Sequence, residues 1–332
     1  MAIRNKQWRL ASRPKGFVEE SNFRLVEVEV PALEAGQLLV QIHYLSLDPY
    51  MRGRIGEAKS YAPRQPVGEV MLGGTVGEVI DSRNPRFERG DVVVGMGGWQ
   101  QFHHSDGTGL MKVDARAIPA SAYLGPVGMP GVTAWYGLDR IGKPRAGETV
   151  VVSAASGAVG SVAGQLAKLA GCRAVGIAGG AAKCDYVVRE LGFDACVDYK
   201  ADRFREALEA ATPRGVDVAF ENVGGPVLDS TLSRMNPFGR IAVCGLIAGY
   251  NGEPVALRNL QAILVSRLTV QGFIISEHLE LWPKALGILS ALLAQGKLRY
   301  RETVAEGIES APRALVGLFH GENLGKQLVK VA

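Results

Sequence analysis

Hydrophobic residues follow two different patterns along the 332-residue chain. Up to about residue 120, short apolar runs such as 37–47 alternate with turn residues that include Gly36, Pro49 and Gly90. Short strands separated by turn residues are typical of a barrel-like β structure. The pattern therefore predicts a β-rich domain in the N-terminal part of the chain.

After about residue 148 the pattern changes to alternating strands and helices. Residues 149–153 form a continuous apolar run, as a strand buried on both faces requires. Residues 159–170 have apolar positions at helical spacing, and Gly171 follows them as a stop signal. This alternation predicts a doubly wound α/β domain with a parallel sheet. Later segments predicted as strands are 173–178, 195–199, 216–220 and 241–246, and those predicted as helices are 182–191, 202–210, 227–235 and 279–295.

Length and pattern together predict two domains, because a chain of this size exceeds the usual extent of one. We expect the β-rich domain to comprise residues 1–122 and 300–332, since the mixed pattern returns after Gly296. The α/β domain then comprises residues 123–299.

Composition limits the classes of partner. The net charge is +4, with 37 basic and 33 acidic residues scattered along the chain, and nucleic-acid binders usually carry a basic stripe. The first residues have no apolar core of a signal peptide, and no apolar run reaches the roughly 18 residues of a membrane span. The four cysteines form no CxxC pair and are interpreted as reduced core thiols. We therefore expect a cytoplasmic protein with a small-molecule substrate.

The segment Ala154–Gly160 has the features of a phosphate-binding loop. It follows a predicted strand and opens a predicted helix, which is the context of a dinucleotide site. Gly157 allows the backbone to approach a pyrophosphate, and Gly160 allows close packing of helix on strand. The helix N-terminus favours anionic phosphates. Ala155 stands where the usual first glycine of the motif would be, and the cofactor contacts predicted here are Gly157, Ala158, Val159 and Gly160.

The residues after the second predicted strand favour NADPH over NADH. An NAD site places Asp or Glu about 20 residues after the loop, but this chain has Ala-Gly-Gly-Ala at 178–181. Lys183 follows and can pair with a 2′-phosphate, unless it is a plain surface lysine. Tyr199 can donate to the same phosphate, or be an ordinary residue at a strand end.

A zinc site is not expected. The chain has no cysteine before Cys172, and its adjacent histidines, His103 and His104, would point to opposite faces of a strand. Zinc needs three or four convergent ligands. Without such a Lewis acid, oxidation of an alcohol would lack stabilisation of its alkoxide.

Five segments together resemble one family. They are 46–52 (SLDPYMR), 128–134 (GMPGVTA), the loop at 154–160, 221–225 (ENVGG) and 322–326 (ENLGK). The chain resembles the zinc-free branch of the medium-chain dehydrogenases/reductases, which contains the prostaglandin reductases and the bacterial curcumin reductases. The resemblance extends over essentially the whole chain. Where mammalian members have a tyrosine after a Phe-Val-Val segment, this chain has Ser276, which favours the bacterial subgroup.

The resemblance implies a GroES-like catalytic domain joined to a Rossmann domain, bound NADPH and a homodimer. It also implies reduction of the C=C bond of α,β-unsaturated ketones and aldehydes. The cofactor contacts that it implies are the loop residues with Lys183, Tyr199, Asn222, Cys244, Gly245, Ile247, Tyr250, Phe273, Ile274, Ile275 and Asn323.

Conjugate reduction develops negative charge on the carbonyl oxygen, which hydrogen-bond donors stabilise. Tyr50, at the end of an early strand, is the first candidate donor, although it can instead pack against the cofactor or the fold. Tyr61 would line or gate the pocket, and Tyr250 would cover the nicotinamide. Arg52 and Arg54 either attract an anionic group or are plain solvated arginines.

Two other functions fit the same sequence features. A quinone oxidoreductase of this fold would accept the same hydride, and the SLDPYMR and GMPG segments favour the enone reductase over it. A non-catalytic NADPH-binding redox sensor is the second alternative, against which the joint presence of Tyr50, Lys183 and Asn323 argues.

Overall fold

A computed structural model describes residues 3–252 and 255–332, and the chain divides into two units by its internal contacts. The first unit comprises the chain up to Leu124 together with Glu302–Asn323 and Gln327–Ala332. The second comprises Gly125–Arg301 and the short segment Leu324–Lys326.

The elements before residue 125 are mostly strands. They are β1 (Arg4–Leu10), β2 (Phe23–Glu29), β3 (Leu38–Ser46), α1 (Tyr50–Ile55), β4 (Thr75–Ser82), β5 (Val92–Gly95), β6 (Phe102–Ser105) and β7 (Met111–Lys112).

Strands and helices alternate through the rest of the chain. They are α2 (Met129–Tyr136), β8 (Thr149–Ser153), α3 (Ala158–Leu169), β9 (Arg173–Ala178), α4 (Ala181–Arg189), β10 (Ala195–Asp198), α5 (Phe204–Ala211), β11 (Val216–Glu221), α6 (Gly225–Leu232), β12 (Met235–Val243), α7 (Gln261–Val265), β13 (Thr269–Gly272), α8 (Trp282–Ala294), β14 (Glu302–Glu306), α9 (Ala311–His320) and β15 (Lys326–Lys330).

The first unit is built on one sheet. Its order is β14-β15-β3-β4-β5-β7, with β6 also paired to β3, while β1 and β2 form a separate antiparallel pair. The pairs that β3 makes with β15, β4 and β6 are antiparallel. Its main core contains Leu10, Ile42, Met51, Trp99 and Leu315, all fully buried.

The second unit is a parallel sheet with the order β10-β9-β8-β11-β12-β13. Counted from β8 as the first strand, this is the 3-2-1-4-5-6 order of a Rossmann domain. Successive strands are added on one side of β8 up to β10 and on its other side from β11 onward, so the carboxyl ends of β8 and β11 flank the switch point. The presence of a Rossmann domain and of a separate β-rich unit confirms the predicted fold class.

Three predicted elements differ from the structure by more than two residues at one end. Strand β12 begins at Met235 and ends at Val243, whereas the sequence predicted 241–246. It ends at Val243 because the N–H groups of Cys244 and Gly245 both donate to the Glu221 carbonyl, which ends the regular pairing with β11. Helix α6 ends at Leu232, before the predicted limit of 235. Helix α8 begins only at Trp282, after two short 3-10 turns.

Among the described residues, no helix combines the length and apolar character that crossing a bilayer requires.

Candidate functional site

The loop between β8 and α3 is shaped to hold an anion. Ala154 has a left-handed backbone, with φ of 48°, and the Gly157 N–H donates to its carbonyl at 2.9 Å. Gly157 is the N-cap of α3, so Ala158, Val159 and Gly160 form the first turn. The N–H groups of a first turn have no partner within their helix. Such N–H groups, at the positive end of a helix dipole, can bind a phosphate, and the contacts predicted for Gly157, Ala158, Val159 and Gly160 stay predictions.

The glycine spacing of the loop has a steric reason at Gly160. A Cβ atom there would lie 2.3 Å from the Ala154 carbonyl oxygen, far inside van der Waals contact. Ala155 stands where the motif usually has its first glycine, and its side chain is fully buried. The backbone N–H of Ala155 donates to the Ile177 carbonyl at 3.0 Å. The loop therefore accepts alanine at that position without losing its backbone path.

A cationic group lies at the carboxyl ends of β9 and β10. Lys183 in α4 is half-buried, and burial together with the positive charge of Lys200 lowers its pKa. A Cβ atom on Gly179 would lie 3.1 Å from both the Tyr199 hydroxyl and the Lys200 Cε atom, so both side chains lie over this glycine. A bound phosphate dianion would relieve the repulsion between the two ammonium groups, which fits the 2′-phosphate of NADPH.

Lys200 belongs to this group but was not predicted from the sequence. The feature that could have indicated it is its position directly after Tyr199, a predicted contact. The neighbouring Asp198 carboxylate accepts hydrogen bonds from the Gly180 and Lys200 N–H groups, at 2.8 and 2.9 Å. Asp198 therefore fixes the turn that presents Tyr199 and Lys200.

Asn222 joins the two strands at the switch point. Its N–H donates to the Ser153 hydroxyl at 2.8 Å, and its side-chain amide donates to the Ser153 carbonyl at 2.7 Å. The preceding Glu221 is 1% exposed and accepts from the Val223 and Gly224 N–H groups, both at 2.6 Å. Burial raises the pKa of Glu221, and the hydrogen bonds from these N–H groups lower it by less. The ends of β8 and β11 are thus tied together beside the loop.

The turn after β12 holds four of the predicted contacts, Cys244, Gly245, Ile247 and Tyr250. Burial raises the pKa of the Cys244 thiol to about 12. The Tyr250 hydroxyl accepts the Leu246 N–H at 3.4 Å and lies 3.2 Å from where a Cβ atom on Gly245 would be. Tyr250 therefore folds back over its own turn. Its predicted role at the nicotinamide stays a prediction.

The segment Phe273, Ile274 and Ile275 follows the last strand of the sheet. The Phe273 ring packs against Tyr136, with ring centres 5.2 Å apart, and edge-on against Phe220 at 6.4 Å. Its side chain is thus a packing group, and the cofactor contacts predicted for this segment stay predictions.

Asn323 belongs to the first unit, but the chain directly after it reaches the cofactor loop. The Gly325 N–H donates to the Ser156 carbonyl at 2.9 Å, and Gly325 forms a parallel bridge with Gly157. A Cβ atom on Gly325, whose φ is +74°, would lie 1.9 Å from the Arg301 carbonyl oxygen. This close approach explains the glycine of the ENLGK segment.

The predicted position of Tyr50 at a strand end was wrong. Strand β3 ends at Ser46, and Tyr50 is the first residue of α1, because Pro49 at the N-cap has a helical backbone. Asp48, which lies before this cap, is 6% exposed and accepts a hydrogen bond from the Ser46 hydroxyl. Burial and, after it, the negative charge of Asp48 raise the pKa of the Tyr50 phenol. Tyr50 is thus held as a neutral hydrogen-bond donor.

Two further side chains act electrostatically on Tyr50. Tyr61, which is 57% exposed, raises its pKa, and the positive charge of Arg54 lowers it. The Nε and Nη1 atoms of Arg54 are buried without a hydrogen-bond partner in the described part of the chain. Arg52 is 7% exposed and donates to the Gly16 carbonyl at 2.7 Å. The interpretation of Arg52 as a plain solvated arginine was therefore wrong.

The adjacent histidines lie in β6. Burial and the neighbouring His104 lower the pKa of His103. Within residues 3–252 and 255–332, no group of three or more His, Cys, Asp and Glu side chains could hold a metal ion.

The predicted cofactor residues of the second unit come together along one edge of its sheet. Because the strands are parallel, their carboxyl ends lie at the same edge. The loop follows β8, Tyr199 follows β10, Asn222 follows β11 and Cys244 follows β12. Tyr50 and Tyr61 belong to the other unit.

Comparisons with known proteins agree with this fold. Family models described as the N-terminal domain of oxidoreductases and as zinc-binding dehydrogenases match residues 6–113 and 158–291. The NADPH-dependent curcumin reductase of Escherichia coli is 45% identical over 339 residues, covering 99% of this chain and 97% of the relative. The NADP(+)-dependent 2-alkenal reductase of Nicotiana tabacum is 41% identical over 342 residues, covering 99% and 98%.

A solved structure supports the same assignment. The crystal structure of CurA from Vibrio vulnificus in complex with NADPH superposes with a TM-score of 0.94 and 43% identity, covering 98% of this chain and 99% of that one. The predicted resemblance is confirmed: the chain is an oxidoreductase that belongs to the zinc-free branch of the medium-chain dehydrogenase/reductase family, with the curcumin and prostaglandin reductases.

Proposed function

We propose that this chain is an NADPH-dependent reductase of carbon–carbon double bonds conjugated to a ketone or aldehyde. The observation that carries the cofactor choice is the placing of Tyr199 and Lys200 over Gly179, with Lys183 close enough to feel the positive charge of Lys200. These side chains lie where an NAD site would carry an acid, and they suit a dianionic phosphate. The activities and cofactors named for the relatives support the reaction class.

The residues of the chain have distinct roles in this proposal. Bound NADPH supplies a hydride for the β-carbon of the substrate. The first turn of α3 holds the pyrophosphate, and Lys183 and Lys200 hold the 2′-phosphate. Tyr50 donates a hydrogen bond to the carbonyl oxygen, where negative charge develops. A neutral phenol suits this role, and its raised pKa keeps it protonated.

The test is NADPH consumption, followed by absorbance, with four compounds: an aliphatic enone, its saturated ketone, curcumin and benzoquinone. We expect turnover of the enone and of curcumin, and none of the saturated ketone, because the proposed reaction delivers the hydride to the β-carbon of a conjugated double bond, which the saturated ketone lacks. Product analysis should show a reduced C=C bond and an intact carbonyl. Turnover of benzoquinone alone would favour the quinone oxidoreductase, and turnover of none would contradict both enzymes.

A homodimer formed through the edge of the parallel sheet is part of this proposal. Strand β13 is the last strand of the sheet, and all four of its residues are exposed. Large apolar side chains on and near it are exposed as well, with Leu264 at 78% and Val270 at 44%. An unprotected edge strand beside apolar surface favours pairing with a second copy.

Replacing Leu264 or Val270 with Asp should therefore convert the protein from a dimer to a monomer, because each change buries an unpaired charge at the proposed interface. Light scattering after size exclusion gives the mass directly. Leu169→Asp is the matched control, since Leu169 is 49% exposed at the end of α3. A protein that is monomeric before any substitution would contradict the proposal.

A further inference from the structure

Helix α1 carries a positively charged side chain whose N–H groups the chain itself does not satisfy. The Nε and Nη1 atoms of Arg54 are buried and have no hydrogen-bond partner among the residues that the structure describes. The neighbouring arginines do have partners: Arg13 donates to the Gln65 carbonyl at 3.0 Å, and Arg52 donates to the Gly16 carbonyl at 2.7 Å. A buried donor without an acceptor costs free energy, and a charged one costs more. Arg54 therefore presents donors that an acceptor from outside the chain can take.

Arg54 shares one face of α1 with Tyr50. The two residues are four apart, which makes them neighbours on a helix surface, and both are half-buried, whereas Met51 on the opposite face is fully buried. Gly53 lies on the shared face and has no side chain. Outside α1, the nearest described atom to a Cβ at Gly53 would be the Ser60 hydroxyl oxygen, at 3.8 Å. The shared face therefore has room for a ligand beside the phenol and the guanidinium.

The backbone of Arg54 is fixed by the loop 56–64, which returns to α1. The Gln65 N–H at the end of this loop donates to the Arg54 carbonyl at 2.8 Å. Gln65 is itself held in place, because its carbonyl accepts from Arg13 and its buried side-chain amide donates to the Val70 carbonyl at 3.1 Å. The residue that carries the guanidinium is thus anchored through its backbone. Donors positioned in advance in this way are what stabilisation of a developing charge requires.

We propose that Arg54 is a second catalytic residue for enone reduction, whose unpaired N–H groups bind the substrate carbonyl oxygen together with the Tyr50 hydroxyl. This inference rests on the proposed function. Hydride transfer from NADPH forms the new C–H bond at the β-carbon, and the electron pair of the C=C bond shifts until the carbonyl oxygen carries the negative charge of an enolate. The α-carbon then takes a proton from water, so the substrate gains a hydride and a proton and NADPH becomes NADP⁺. A fixed positive charge beside a neutral phenol stabilises this enolate more than the phenol alone.

Arg54→Met tests the proposal, because methionine keeps an apolar stem but has neither the charge nor the donors. With an uncharged aliphatic enone, kcat should fall about 100- to 1000-fold, the usual loss for one donor to a developing oxyanion, and the Kd for NADPH should not change. Arg54→Lys keeps the charge and should retain part of kcat. The matched control is Arg64→Met, which should leave kcat unchanged, since Arg64 is exposed and donates to the Glu57 carbonyl. An unchanged kcat in Arg54→Met, or a change in KM alone, would overturn the proposal.

Two further measurements separate this role from a structural one. The Tm of Arg54→Met should equal or exceed that of the wild type, because an unpaired buried charge is replaced by an apolar side chain, and a lower Tm would overturn the proposal. In the double variant with Tyr50→Phe, the loss of kcat should be smaller than the product of the two single losses, because both groups act on one oxygen. A full product would place Arg54 away from that oxygen. A wild type that reduces no enone would contradict the proposed function and this inference with it, whereas an active wild type with an equally active Arg54→Met would overturn the inference alone.

Discussion

Replacing Tyr50 with Phe should lower kcat for an enone by about 100- to 1000-fold, the usual loss when one donor to a developing oxyanion is removed. The Kd for NADPH should stay unchanged, because the substitution removes only the hydroxyl group, which in this proposal donates to the substrate and not to the cofactor. Single-turnover measurement of NADPH oxidation separates the chemical step from binding. The phenylalanine ring preserves the packing of Tyr50 against the buried core around Met51, so the effect should not come from unfolding.

Two companion variants define what the Tyr50 result means. Tyr123→Phe removes a phenol from the same unit, where its hydroxyl donates to the Asp114 carbonyl at 3.3 Å, and it should leave kcat unchanged. Tyr61→Phe should cost less than Tyr50→Phe, because Tyr61 is 57% exposed and a donor in water is worth less. An unchanged kcat in Tyr50→Phe would remove this residue as the donor.

The pH dependence follows from the same geometry. The pKa of Tyr50 is raised above its ordinary value of about 10, so the phenol remains protonated throughout the usual assay range. The donor is lost only when pH rises through the raised pKa. Titration of Tyr50 should therefore contribute nothing to the pH dependence of kcat between about pH 6 and pH 9. Over this range, the wild type and Tyr50→Phe should differ in the size of kcat but not in how it changes with pH.

Replacing Lys183 with Ala should weaken NADPH binding by about 10- to 100-fold, which corresponds to the roughly 1.5–3 kcal/mol of a hydrogen bond between charged groups. NADH binding should change by less than about twofold, because NADH lacks the 2′-phosphate. Fluorescence titration of both cofactors provides the comparison. Equal losses for the two would show that Lys183 does not contact that phosphate.

The matched control for Lys183 is Arg189→Ala. Arg189 lies in the same helix, is highly exposed and pairs weakly with Asp185 at 3.9 Å. Arg189→Ala changes the net charge by the same amount as Lys183→Ala. Any loss of NADPH affinity in Arg189→Ala therefore measures long-range electrostatic attraction, which added salt screens. Lys200→Ala should repeat the NADPH-selective loss on a smaller scale, because Lys200 is exposed.

Local signals predicted the Rossmann unit well. The uninterrupted apolar run of β8 and the spacing from Gly157 to Gly160 specify a buried strand, a tight turn and a helix start over a dozen residues. The strands at 149–153 and 173–178 have the predicted limits. The alternation of strands and helices predicted a doubly wound parallel sheet, and the observed strand order is one of the few topologies that parallel connections allow.

What the sequence did not reveal depends on distant partners. Strand β1 has a mostly polar sequence, yet it pairs along its whole length with β2, and the Asn5 side chain donates to the Phe102 carbonyl at 2.8 Å. The buried Arg52 side chain donates a hydrogen bond to the Gly16 carbonyl, 36 residues away. None of these has a local pattern.

The hydrogen bond from the Gly325 N–H to the Ser156 carbonyl joins positions that are 169 residues apart. Such a contact cannot form during synthesis until the ribosome has added residue 325, although the strand and helix around the loop can form much earlier. The nascent chain therefore carries the completed cofactor loop without this partner while residues 161–325 are added. A dinucleotide that binds to the growing chain would contact a loop that still lacks its hydrogen bond to Gly325. The full affinity for the dinucleotide should therefore appear only in the last stage of folding.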